Sequence, residues 1–123
     1  MELQALTPML RTPDLQGTIR FYTEILGFVC ESASESWQWA SLSHGPVALM
    51  LSGLNEHEGD EKPVFTGSLY FKTPDVDALW ERLRDKVRIC YPIENFAYGM
   101  REFGVYDNNG YLLQFGQDQE CKP

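Results

Sequence analysis

The chain has 123 residues, 43% of them hydrophobic and 13% aromatic, with a formal net charge of −8. That is one domain's worth of chain with enough apolar material for a core, so a disordered protein is excluded. A nucleic-acid backbone is a poor partner for such a charge, and no apolar run reaches the roughly 18–20 residues of a membrane-spanning helix.

Leu3 to Arg11 has strand character. Thr12-Pro13-Asp14 ends it and opens a helix, because proline disfavours helix at the residue before it and suits a first helical turn. Asp14 places an acid near the positive end of the helix dipole. Leu15, Ile19, Tyr22 and Leu26 then fall at helical spacing, and Gly27 stands where a terminating glycine belongs. Three strands are expected next, over Phe28–Glu31, Ser36–Leu42 and Val47–Leu51, with His44-Gly45-Pro46 turning between the last two.

The same order then repeats. Leu10-Arg11-Thr12-Pro13-Asp14-Leu15 recurs half a chain later as Phe71-Lys72-Thr73-Pro74-Asp75-Val76. Ser68–Lys72 reads as a strand, and Val76, Leu79, Trp80 and Leu83 as a helix face. Strands follow at Val87–Cys90, Met100–Tyr106 and Tyr111–Phe115, the last two joined by a hairpin turn at Asp107-Asn108-Asn109-Gly110. The expectation is a single α+β domain of two βαβββ modules, about 3–52 and 66–117, with a linker at about 53–65. A pseudo-twofold duplication would give a curved mixed sheet with both helices on its convex face.

Alternation along the strands separates two faces. Pro8, Leu10, Leu49, Leu51, Leu69, Phe71, Leu113 and Phe115 form an apolar set suited to the helix side. Thr7, Met9, Ala48, Met50, Ser68, Tyr70, Leu112 and Gln114 form a mixed set. That mixture suits either a ligand-facing wall or a face covered by a dimer partner. Trp37 and Trp39 are two apart, so they are expected to share a strand face with Glu35 and Ser41. Phe96 and Tyr98 lie in a stretch longer than its counterpart in the first module, as a lid or rim would. Aromatic faces hold flat rings and cations.

These residues resemble the vicinal oxygen chelate superfamily of glyoxalases, dioxygenases and bleomycin-resistance proteins. The resemblance rests on Thr12-Pro13-Asp14-Leu15 with Phe21-Tyr22 and Leu26-Gly27-Phe28. It rests also on Tyr98-Gly99-Met100-Arg101-Glu102-Phe103 and on Asp107 to Gly116, a stretch similar to bleomycin-resistance-like members. Enzymes of that superfamily usually hold a divalent metal on inner strand positions. The resemblance puts those positions at Thr7, Ala48, Ser68 and Gln114. None offers imidazole, thiolate or carboxylate, so no metal, no cofactor and no catalytic residue are expected. His44 and His57 read as turn and surface histidines, and there is no phosphate loop or GxSxG motif.

The resemblance then implies a homodimer that captures a small molecule in crevices between subunits, an antibiotic being one such guest. The site is expected from Met9, Met50, Tyr70 and Gln114 as walls, Trp37, Trp39, Phe96 and Tyr98 as rim, and Glu102 or Glu35 meeting a cationic group. An enzyme with a non-standard metal site and a non-catalytic regulatory protein are the competing readings. Three cysteines without CxxC spacing, and an N-terminus without a basic and apolar leader pattern, lead to the expectation of a reducing cytoplasm.

Overall fold

A computed structural model describes residues 1–54 and 64–119. Two units divide the chain, Met1–Pro63 and Val64–Pro123, and most of the expected linker lies outside the described residues.

The first unit runs β1 (Met9–Thr12), α1 (Leu15–Arg20), β2 (Val29–Ser34), β3 (Trp39–His44) and β4 (Val47–Gly53). The second runs β5 (Leu69–Lys72), α2 (Val76–Leu83), β6 (Arg88–Asn95), β7 (Met100–Tyr106) and β8 (Leu112–Asp118). Each builds one four-stranded mixed sheet, ordered β1-β4-β3-β2 and β5-β8-β7-β6. In each, the first strand runs parallel to the last and the remaining pairs are antiparallel. The fold is therefore α+β, with the same βαβββ module built twice.

The repeated Thr-Pro-Asp is the device that turns each first strand into its helix. Asp14 is the N-cap of α1, its Oδ1 accepting from Gly17 N at 3.0 Å. Asp75 does the same for α2, accepting from Ala78 N at 3.2 Å. The threonine hydroxyl two residues earlier accepts from each aspartate's own N–H, at 3.0 Å for Thr12 and 3.5 Å for Thr73. The prolines thus stand one residue before the cap, not in the first turn as expected. A capping carboxylate satisfies a backbone donor that the helix itself leaves orphaned.

α1 continues into a π-helical turn, Phe21–Ile25. Gly27, at φ 81°, ends it, and Phe28 N donates back to Tyr22 O at 2.8 Å. This is the glycine-terminated closure that the sequence announces.

Of the expected helix-side set, Leu10, Leu49, Leu51, Leu113 and Phe115 are buried, and Pro8, Leu69 and Phe71 are half-buried. Leu10, Leu15, Tyr22, Ala40, Leu42, Leu49 and Leu51 are buried in the first unit. In the second, Trp80 packs on Phe103 at 5.1 Å between ring centroids, and Phe115 stacks on both Phe71 and Phe103. Arg101 ties β7 to α2 through a forked pair with Asp77, the shortest contact being 2.8 Å.

Three expectations need correction. β1 begins at Met9, and Leu3 and Leu6 are exposed. Glu35–Gln38 form a turn rather than the start of β3, with Gln38 at φ 51°. Trp37 therefore shares no strand face with Trp39. β6 runs on to Asn95 through two register shifts, well past the expected Cys90, and residues 96–99 form the turn that leads to β7. Pro92 is tolerated there because β6 is an edge strand. No described helix is long and apolar enough to cross a membrane.

Candidate functional site

On the second unit's sheet, the face opposite α2 carries Tyr70 from β5, Tyr91 from β6, Glu102 and Gly104 from β7, and Gln114 and Gly116 from β8. Strand pairing fixes that grouping, since Tyr70 and Gly104 both lie beside Gln114, Tyr91 beside Gly104, and Glu102 beside Gly116.

The two glycines let the tyrosines lie on the sheet. A β-carbon on Gly104 would run into the Tyr91 ring, and one on Gly116 into the Tyr70 hydroxyl. Both hydroxyls reach Glu102. Tyr70 donates to Oε1 at 2.7 Å and Tyr91 donates to Oε2 at 2.5 Å. Glu102 is 1% exposed and has no basic partner among the described residues. A buried carboxylate is costly unless hydrogen bonds replace its water, and these two phenols do so.

The chain of hydrogen bonds extends further. Gln114 Nε2 donates to the Tyr91 oxygen at 2.9 Å, and Ser68 Oγ donates to Gln114 Oε1 at 2.5 Å. Burial, followed by the neighbouring Glu102 carboxylate, pushes the Tyr70 and Tyr91 phenols well above their ordinary range. The amide of Gln114 partly opposes this at Tyr91. Tyr98 is raised as well, by desolvation and then by its own interaction with Glu102. Tyr98 stacks on Phe96 at 5.5 Å, and Phe96 meets Tyr91 edge-on at 5.7 Å.

Of the expected site residues, Tyr70, Glu102, Gln114, Phe96 and Tyr98 are linked by these contacts. Met9, Met50 and Trp39 belong to the open face of the first unit's sheet, where Met9 and Ser41 both lie beside Met50 and Trp39 lies beside Ser52. Trp37 stands in the 35–38 turn, 83% exposed. Glu35 is in the same turn and exposed. Tyr91 and the two glycines went unread. Tyr91 sits beside a proline that masks the strand, and a glycine in a strand signals a close approach without saying of what.

Strand pairing also matches the two units position by position. Met9 beside Met50 corresponds to Tyr70 beside Gln114. Met50, two residues beyond the expected Ala48, is thus the first unit's counterpart of Gln114. The donor set at the positions where the resemblance expects a metal becomes Thr7, Met50, Ser68 and Gln114. Two hydroxyls, a thioether and an amide do not fit a catalytic first-row divalent ion. Among the described residues no three His, Cys, Asp or Glu side chains converge.

Residues 4–115 match the Glyoxalase/Bleomycin resistance protein/Dioxygenase superfamily, and the chain belongs to it. Solved structures share the fold. A glyoxalase/bleomycin resistance protein/dioxygenase from Nocardioides is 18% identical with a TM-score of 0.79, over 99% of this chain and 88% of that one. TioX from Micromonospora sp. ML1 is 19% identical with a TM-score of 0.71, over 94% and 99%. An integron cassette protein from V. cholerae is 25% identical with a TM-score of 0.70, over 95% and 97%. No curated protein matches the chain in sequence.

Proposed function

We propose that this protein is a metal-independent small-molecule-binding member of the superfamily. In this reading it works in the manner of bleomycin-resistance proteins, holding a flat or cationic guest without making or breaking a bond. One observation carries the reading. Ser68 and Gln114, at two positions where the resemblance expects metal ligands, are hydrogen-bonded to each other and onward to Tyr91. The result is a neutral polar chain bordered by aromatic rings and anchored on a buried carboxylate. Such a surface offers recognition, with no group poised to activate water or to polarise a carbonyl through a metal. An antibiotic with a planar or protonated part is one guest that suits it. The acting form in this proposal is a homodimer in the cytoplasm, where the free thiols of Cys30 and Cys90 would stay reduced.

Calorimetric titration with planar aromatic cations, before and after treatment with a chelator, tests the proposal. Affinity should be unchanged by chelation, and elemental analysis should find no stoichiometric Zn, Fe, Mn or Ni. Binding that disappears with the metal would sink it.

A further inference from the structure

The hydrogen bonds around Glu102 run in one direction. A carboxylate can only accept, so the single protons of Tyr70 and Tyr91 are both committed to it. Tyr91, having given its proton away, can only accept from Gln114. That fixes the amide with its nitrogen toward Tyr91 and its oxygen toward Ser68. The serine proton is then committed to the amide oxygen. From Ser68 through Gln114 and Tyr91 to Glu102, every hydroxyl proton points inward.

What remains for a guest is therefore set. Tyr70 and Ser68 keep oxygen lone pairs and no free proton, and neither oxygen accepts a hydrogen bond from any described residue. Tyr70 is 43% exposed and Ser68 half-buried, so both residues keep access to solvent. The negative charge behind the phenols makes their oxygens richer acceptors. Among the described residues of this hydrogen-bonded series, the second amide hydrogen of Gln114 is the side-chain proton left over.

We infer that this face of the second unit selects guests carrying N–H donors, a protonated amine or amidine on a flat ring, and discriminates against carboxylates and phosphates. The inference rests on the reading of the protein as a small-molecule binder, and it names what that binder accepts.

Three probes separate the possibilities by calorimetry on the full chain. They are 1-naphthylmethylammonium, its N,N,N-trimethyl analogue, and 1-naphthoate. The first carries positive charge and donors, the second positive charge alone, and the third negative charge with no donor. Net negative charge would favour both cations alike, so the comparison between them is decisive. The ammonium should bind about tenfold tighter than the trimethyl analogue, as one hydrogen bond to a charged group gives, and naphthoate should be weakest. Tyr70→Phe should close most of the gap between the two cations by weakening the ammonium far more than the trimethyl analogue, whereas a merely structural loss would weaken both by the same factor. Glu102→Gln, which returns a donor to the network, should improve naphthoate. Equal affinity for the two cations, or naphthoate matching the ammonium, overturns donor selection while leaving small-molecule capture standing. No binding of any probe overturns both.

Discussion

The ring of Tyr91 lies across the backbone of Gly104, in the space where a β-carbon on that residue would stand. Tyr70 does the same to Gly116 with its hydroxyl. Gly104→Ala and Gly116→Ala should each destabilise the protein by about 1–3 kcal/mol, the usual cost of overpacking. Urea unfolding measures this. For Gly116→Ala, adding Tyr70→Phe removes the offending hydroxyl and should recover part of the loss, a non-additivity that a double-mutant cycle detects.

Replacing Glu102 by leucine should cost about 1–3 kcal/mol, because it leaves two phenol protons without their acceptor. Glu102→Gln should cost less, since the amide oxygen still accepts from one tyrosine. Equal losses for the two variants in chemical denaturation would mean that the carboxylate is not what the tyrosines require.

Raised phenol values have a defined consequence at alkaline pH. Tyr70 and Tyr91 lie above the ordinary 10.0 in the folded protein, through burial first and Glu102 second. Their stabilisation is therefore complete below about pH 10 and is lost as pH climbs toward the folded values. Ultraviolet titration should show at least two of the six tyrosines still protonated at about pH 11 in the folded state. They should ionise together with unfolding. Six tyrosines ionising in one step near pH 10, with structure retained, would contradict the network.

Capping is the most sequence-legible part of the molecule, and it is testable. Asp14→Ala and Asp75→Ala should each cost about 0.5–2 kcal/mol, with Asn at either position recovering most of it. Thermal unfolding by circular dichroism reports both.

Trp37 packs on little within its own chain. Trp37→Ala should change stability by no more than about 0.5 kcal/mol, as for other exposed positions. Its effect on function is diagnostic. Weaker guest binding would assign it to the rim, whereas a homodimer that dissociates in sedimentation with binding intact would assign it to a subunit contact.

The local signals in the sequence were those with short-range causes. Thr12-Pro13-Asp14 and its copy fix the helix starts within a few residues, Gly27 closes α1, and strand alternation separates the core set from the open set. β7 falls on the expected Met100–Tyr106. Less legible were features that depend on a partner distant in sequence. Trp37 and Trp39 alternate as a strand would, but the turn at Glu35–Gln38 takes the first out of the sheet. Pro92 concealed the outer half of β6, and with it Tyr91. Glu102 could be named, with Glu35, as an acid for a cationic group, but the sequence does not say which way its strand points it, and its partners Tyr70 and Tyr91 arrive from two other strands. Ala48 gave way to Met50 because only pairing across strands sets which residues correspond.

That correspondence has one more implication. Trp39 beside Ser52 in the first sheet answers to Glu102 beside Gly116 in the second. An indole and a carboxylate thus sit at equivalent addresses on one repeated scaffold. One strand order thus carries two different open faces, and on the second the side chains are tied into the sheet by the glycines beneath them and by Glu102.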